Sequence, residues 1–548
     1  MTLTYLGRMI TLPSITRQRV KTYTYIYEST SYRDAQGRPR NHKRRIGKVD
    51  PITGEDVFDE DYLREKGLIA PSEQNRHKPT VEALTKVARG NVACILDSIR
   101  SCGTLWFLQG IAQKIGLWDV LQQAFPSHWQ EIFTLASYLV AGDKPVMYCE
   151  DWLAEQVWLD VGSMSSQRIS DLLWRIDETQ RFSFFRAWCQ YIQEREYIAL
   201  DTTSISCHSQ QIADCEWGYN RGNESLPQVN LCMLYGASSR LPVYQTHFSG
   251  SLKDVTTLES TISEFGALTG DRSIVTVMDK GFFSTRNIDM LLDKGVSFVV
   301  AIPFSVALAK SQIAAVSDSI DRAAHMIRTS AAPIRGVHSV VPWGKKGRTL
   351  HVHTFYNPQA ALDRRNELYE HVQMLKRSVF DEAGSSVSSK DRDHYITFCK
   401  PSTENPIFTA MIDDDKVEGA LETAGWFVLI SDSIANAQAA YDIYRLKDGV
   451  EKCFWKYKNS LGMDRLRVHS DRRMLNKSFV AFIALILSSH VHKTLKDKDL
   501  YRLYTFDRLF LTLATMKTAS IGDQQFIRKP SKRLQDIFAT FDIAFPVG

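Results

Sequence analysis

The segment Tyr197-Ile-Ala-Leu-Asp-Thr-Thr-Ser-Ile205 reads as a β-strand that ends among polar residues. Two further strand patterns follow it, Gln228–Tyr235 and Leu241–Phe248. A helical pattern then runs through Thr257–Leu268. Ser273-Ile-Val-Thr-Val-Met278 is apolar enough for a strand covered on both faces, a short helix follows at about 284–292, and Val296-Ser-Phe-Val-Val-Ala-Ile302 is a fifth strand. Three consecutive strands, then helix–strand–helix–strand, predict a mixed α/β sheet.

Working outward, residues 1–75 predict a small β-rich unit. Tyr23, Tyr25 and Tyr27 alternate there with Thr24 and Ile26, between turn signals at 34–37 and 50–54. The basic run Arg38, Arg40, Lys43, Arg44, Arg45, Lys48 fits either contacts to DNA phosphates or a solvated hairpin edge. Residues 80–192 predict a helical domain, from apolar spacings of three and four. Residues 195–304 form the first part of the α/β core, 305–425 an insertion, and 426–495 the second part, which opens on the strand Trp426-Phe-Val-Leu-Ile430. Residues 496–548 predict a helical C-terminal region.

The composition sets limits. A chain of 548 residues is expected to hold three or four units. Hydrophobic residues at 44% and charged residues at 24% exclude a mainly disordered chain. The net charge of +5 permits nucleic acid as a partner without arguing for it alone. Nine scattered cysteines with no CxxC point to a reducing cytoplasm, and the spacing of Cys207, His208 and Cys215 matches no common zinc pattern. The N-terminus has Arg8 inside its apolar stretch and does not read as a signal peptide. The most apolar run, Phe479–Leu487, is too short to span a bilayer and predicts a core helix, so no membrane role is expected. Gly47-Lys48 and Gly344-Lys345 lack the flanking residues of a nucleotide-binding loop.

Three carboxylates stand out. Asp201 lies at the expected end of the first strand, Asp279 directly follows the fourth, and Glu451 lies in the helical stretch Tyr-Arg-Leu-Lys-Asp-Gly-Val-Glu-Lys-Cys-Phe-Trp-Lys-Tyr-Lys of residues 444–458. Acids at neighbouring strand ends, with one from a helix across them, can converge on one point. Hard oxygen ligands of this kind suit Mg²⁺. Taken singly, a strand-end Asp is a frequent turn former and a lone helical Glu is a frequent solvated residue. Tyr444, Lys447, Glu451 and Lys458 are three, four and seven positions apart and share one helix face, which joins a phenol and two cations to the carboxylate. Intrahelical pairing accounts for Lys447 and Glu451 but not for Tyr444 or Lys458.

With these motifs the chain resembles bacterial insertion-sequence transposases of the DDE class, the group with a β-rich insertion and a Tyr-Arg-Glu-Lys signature. Tyr444, Glu451 and Lys458 match that signature, while Lys447 stands where the family has Arg and lacks its bidentate fork. The segments 200–206, 279–284 and 218–254 match the first and second Asp motifs and the stretch between them. The resemblance implies an RNase H-like core whose Asp201, Asp279 and Glu451 are catalytic and hold two Mg²⁺ ions, with Mn²⁺ able to substitute. It implies hydrolysis at the element ends, then strand transfer of the 3′-hydroxyl into target DNA. Tyr444, Lys447 and Lys458 would hold backbone phosphate, and Trp426 would offer an aromatic platform for a displaced base, a role that competes with that of a strand-start core residue. Phe282, Phe283 and Trp455 are expected in the core. Arg465, Arg467, Arg472 and Arg473, and the C-terminal Arg528, Lys529, Lys532 and Arg533, line either a DNA channel or a solvated surface. The implied partners are double-stranded DNA, as terminal inverted repeats and as target, and a second copy of the chain on DNA. The implied location is a bacterial cytoplasm. Two other readings stay open: a catalytically silent DNA-binding protein, and an RNase H-like nuclease that cuts without joining.

Overall fold

The structure, a computed structural model, describes residues 99–545 apart from 143–144, 158–160, 195, 221–223, 271–273, 330–332, 345, 379–388, 400–408 and 522–523. N-terminal to these it describes 2–5, 8–11, 15–20, 23–33, 39–50 and 54–66. The turn expected at 34–37, most of the turn at 50–54 and the helical pattern of 80–98 lie outside the described residues. The chain divides into two compact units, 1–94 and 95–548.

In the first unit the alternating tyrosines form the strand Tyr23–Arg33. It pairs antiparallel with Ile15–Val20 on one side and Pro39–Val49 on the other, and Asp56–Phe58 completes a four-stranded sheet. Ile26, Ile46, Phe58, Tyr62 and Leu63 make its small core. Gly47 allows the last two strands to close, since a Cβ there would stand 2.3 Å from the Val57 carbonyl oxygen. Part of the basic run is engaged within the unit: Arg44 pairs with Glu65 at 2.6 Å and Arg45 lies over the Tyr25 ring.

The second unit is built on a nine-stranded mixed sheet. Its strands are β1 (Tyr197–Ser206), β2 (Gln228–Gly236), β3 (Pro242–Ser249), β4 (Val275–Met278), β5 (Phe298–Ile302), β6 (Met326–Ile327), β7 (Ile334–Trp343), β8 (Arg348–Tyr356) and β9 (Trp426–Ser431). The spatial order is β3-β2-β1-β4-β5-β9-β8-β7-β6. β1, β2 and β3 form an antiparallel meander, β4 runs parallel to both β1 and β5, and the remaining pairings are antiparallel. The central strands are buried along most of their length; β5 accordingly reads as an unbroken apolar run, while β1 carries its polar residues Asp201–Ser204 into the buried sheet.

Five helices position the rest: α1 (Glu178–Ile192), α2 (Asp254–Thr269), α3 (Ala437–Tyr444), α4 (Lys447–Trp455) and α5 (Asp471–Asp497). α5 is long and apolar enough to cross a membrane by length and composition, yet 83% of its most apolar stretch is buried in the protein. Phe479 and Phe482 of α5 pack edge-on against Phe185 of α1, and Phe479 also meets Phe125 and Phe184. Burial of such rings contributes about 1.5–3 kcal/mol each. Asn476 anchors the same helix by donating to the carbonyls of Leu173 and Ile176 while accepting from Arg181. The C-terminal residues return to the helix Gly103–Lys114, where Phe107 meets Phe510, Phe538 and Phe541.

The stretch between β5 and β9 differs from the β-rich expectation. Its strands β6, β7 and β8 extend the main sheet. The longest element is the 21-residue helix Pro358–Ser378, which packs with Ile396, Ala410 and Val417 into a separate small core. The sequence near 360–375 reads as helical, and the structure places this helix over it.

Candidate active site

Register places the first two acids. In the parallel pair β1/β4, Leu200 stands opposite Met278, so the next residues, Asp201 and Asp279, fall level on one face of the sheet. Asp201 lies mid-strand rather than at a strand end, because β1 stays paired with β2 as far as Ser206. Its side chain is nearly buried, and Oδ1 accepts the Thr202 N–H at 2.8 Å. Asp279 ends β4 and begins a 3₁₀ turn, leaving its carboxylate partly open.

The third acid comes from beyond β9. Asn436 caps α3 by accepting the Ala439 N–H at 3.0 Å. The expected single helix through 444–458 is broken at Arg445–Leu446: α3 ends at Tyr444, α4 starts at Lys447, and a π-helical turn takes over at Lys456–Ser460. The break preserves the convergence. Tyr444 donates its hydroxyl to Asp279 Oδ1 at 3.2 Å. The Lys447 ammonium lies 3.4 Å from Asp279 Oδ2 and 2.8 Å from Glu451 Oε1. Glu451 is half-exposed and Lys447 is 12% exposed.

The electrostatics follow. Burial pushes the Asp279 carboxyl up, but Lys447, the Lys280 N–H and the Tyr444 hydroxyl together hold it below the ordinary carboxylate range. Burial pushes Lys447 down, and Glu451, Asp279 and Asp201 outweigh it, so the amine stays firmly charged. Burial and the Asp279 charge push the Tyr444 hydroxyl up, keeping it a donor.

The remaining expected residues are placed variously. Trp426 opens β9, half-buried, with its ring 4.9 Å from Tyr356. Its neighbour Phe427 is the ring that stacks on Tyr444, at 6.5 Å and 23°. Arg465 makes a two-pronged ion pair with Glu224 at 2.6 and 2.8 Å, and the charge of half-buried Lys458 also acts on Glu224. Arg467 is exposed in a left-handed backbone conformation, with φ 48°. Arg472 and Arg473 each lie 5.1 Å from the Trp174 ring and donate to backbone carbonyls. Phe282 is buried, as expected. Trp455 is not in the core: it is 63% exposed, on the same side of α4 as Glu451, because Val450, Cys453 and Phe454 take the buried face. Glu224, Phe427 and Gly449 were not anticipated; Gly449 within a helix was the one signal that α4 packs unusually closely.

The side chains suit a divalent ion in kind, being hard oxygen donors. Among the described residues no group of three Asp, Glu, His or Cys side chains is arranged to hold a metal ion, and Lys447 occupies the space between two of the acids. The donor set therefore fits, on condition that the ammonium moves.

Residues 192–487 match the family model of the transposase DDE domain, more than half of the chain, with all three acids inside the match. Among curated proteins none matches the chain. A cryo-EM structure of the piggyBac transposase synaptic complex with hairpin DNA is similar over 76% of this chain and 76% of that chain, at 12% identity and a TM-score of 0.34. A mixed sheet that levels Asp201 with Asp279, a helix that brings Glu451 to Asp279 through Lys447, and a family match spanning all of them lead to one conclusion: the chain belongs to the DDE-domain transposases.

Proposed function

We propose that this chain is an active DNA transposase of an insertion sequence. It hydrolyses phosphodiester bonds at the ends of its element, then joins the freed 3′-hydroxyl to target DNA. The observation that carries the reading is the link of Asp279 to Glu451 through Lys447, with Tyr444 on Asp279 and Asp201 level with it on the neighbouring strand, inside a transposase DDE domain. The strand order β3-β2-β1-β4-β5, an antiparallel meander followed by two parallel strands, supports an RNase H-like core. The boundaries at 305–425 and 426–495 then mark an insertion between its two parts.

Members of this family use divalent metal ions. In the proposed scheme Asp201, Asp279 and Glu451 hold two Mg²⁺ ions, or Mn²⁺ in their place. The ions supply activation of the attacking oxygen and stabilisation of the leaving oxygen. Tyr444 orients Asp279 and keeps it ionised. Lys447 and Lys458 bind backbone phosphate beside the cut, and Arg467 lies exposed beyond them. The Arg465–Glu224 pair braces the end of β1 and leaves Arg465 a smaller share in DNA contact. Phe427 closes the side of the site next to Tyr444, while Trp426, on the other face of β9 against Tyr356, is the aromatic platform proposed for a displaced base. The substrates are terminal inverted repeats and target duplex, bound by two copies of the chain in the cytoplasm of a bacterial cell.

The test uses purified protein, DNA carrying the gene's flanking sequences, and Mg²⁺ or Mn²⁺. Cutting at the repeat ends and joining to a plasmid, both lost in Glu451→Gln, are the expected results. Binding without cutting under either metal overturns the catalytic reading, and cutting without joining reduces it to a nuclease.

A further inference from the structure

We infer that Lys447 is a tethered counter-ion: in the DNA-free protein its ammonium stands in for the divalent charge, and it surrenders the carboxylates to metal when a DNA phosphate takes it up. The inference rests on the transposase reading and deepens it by naming what couples metal to DNA.

The geometry is specific. One ammonium touches Glu451 Oε1 at 2.8 Å and Asp279 Oδ2 at 3.4 Å, and the Asp201 charge also acts on it. It lies 5.9 Å from the centre of the Tyr444 ring, whose hydroxyl holds the other oxygen of Asp279. Three carboxylates brought to one place repel one another, and Lys447 is the cation that offsets them. An ammonium and a metal ion cannot both bond the same two oxygens. Among the described residues no three acids stand close enough to form a metal-holding group, and Lys447 lies between two of them. Metal entry therefore breaks two ion pairs of a largely buried amine, which is costly unless the amine gains another anion. A backbone phosphate is such an anion, and the flexible four-carbon stem of lysine lets the charge swing to it.

Linkage then fixes the sign. If DNA removes Lys447 from the acids, DNA tightens metal binding and metal tightens DNA binding by the same factor. An arginine at this position would grip carboxylate oxygens with a planar fork and release them less readily. Lysine makes the centre easier to unlock.

The experiment measures Mn²⁺ binding to the full-length protein by electron paramagnetic resonance. It compares wild type, Lys447→Gln and Lys447→Arg, each without DNA and with a duplex carrying the gene's flanking sequence. Without DNA, Lys447→Gln is expected to bind Mn²⁺ at least about tenfold more tightly than wild type, since a full charge a few ångströms from the ligands has gone. Wild type is expected to gain about tenfold on adding DNA, and Lys447→Gln to gain little. Lys447→Arg keeps the charge and is expected to bind Mn²⁺ no more tightly than wild type. Equal or weaker Mn²⁺ binding by Lys447→Gln without DNA overturns the inference, as does Lys447→Arg behaving like Lys447→Gln. Absence of Mn²⁺ binding in all three proteins, even with DNA, removes the transposase reading as well.

Discussion

Gly449 of α4 lies against the ring of Tyr235 in β2, so closely that a Cβ would stand 2.5 Å from Tyr235 Cε1. In an exposed helix Gly→Ala stabilises by about 1 kcal/mol. Here the added methyl meets a partly buried ring packed against the core, and overpacking of this kind costs about 1–3 kcal/mol. Gly449→Ala is therefore expected to lower the melting temperature and to reduce DNA cleavage, since α4 carries both Lys447 and Glu451. A variant as stable and as active as wild type would show that α4 is free to shift.

Tyr444→Phe separates the hydroxyl from the ring. The ring still stacks on Phe427, while Asp279 loses the donor at 3.2 Å. That donor helps hold Asp279 below its ordinary range, so its removal raises the pKa. The carboxylate is ionised only above its pKa, so the acid limb of the pH–cleavage profile is expected to move to higher pH, with the alkaline limb unchanged. An unmoved acid limb would mean that the hydroxyl does not govern Asp279.

Trp455 follows Glu451 by one helical turn, and side chains so spaced are neighbours about 5–6 Å apart. A strand that reaches Glu451 passes this exposed indole. Base–aromatic stacking contributes about 1–3 kcal/mol. Trp455→Ala is expected to weaken binding of single-stranded element-end DNA about tenfold by anisotropy, with the melting temperature unchanged. A lowered melting temperature with intact DNA affinity would return Trp455 to a packing role.

Burial pushes His353 down to about 4, more than the Ile434 carbonyl it bonds raises it; burial likewise takes His247 and His490 to about 4 and His492 to about 3. A histidine with a depressed folded pKa takes up its proton first in the unfolded chain. Its full contribution to stability is present above about pH 6.5 and drains away as the pH falls toward the folded value. For the fully buried His353 the loss is on the order of 3 kcal/mol. Melting temperatures are expected to fall between pH 6.5 and 4, before most carboxylates titrate, and His353→Phe is expected to flatten that slope. A flat wild-type profile across this window would contradict the burial of these rings.

The sheet was readable because its central strands are covered on both faces, which leaves 298–302 wholly apolar and 274–278 interrupted only by the β-branched Thr276. Asp201 and Asp279 stood out by their place in or after apolar strands, and Glu451 by the spacing of Tyr444, Lys447 and Lys458 around it. Other features carried no local signal. The Glu224–Arg465 pair joins residues 241 positions apart. The break at Arg445–Leu446 contains neither glycine nor proline. Trp455 fell in step with apolar neighbours, and only the packing of α4 across β1 and β2 decided which side of the helix faced solvent. The addition of β6, β7 and β8 to the main sheet depended on β9, whose edge they share.

The separation of the three acids along the chain has a consequence during synthesis. Asp201 and Asp279 can take their places as soon as the central strands pair. Glu451 and Lys447 are made much later, on a helix followed by α5, which supplies much of the core. A polypeptide cut short before that helix contains two of the acids but neither Glu451 nor Lys447. On the proposed reading, an interrupted product is harmless to the chromosome of the cell that made it, and the capacity to break DNA is confined to molecules whose translation has run nearly to its end.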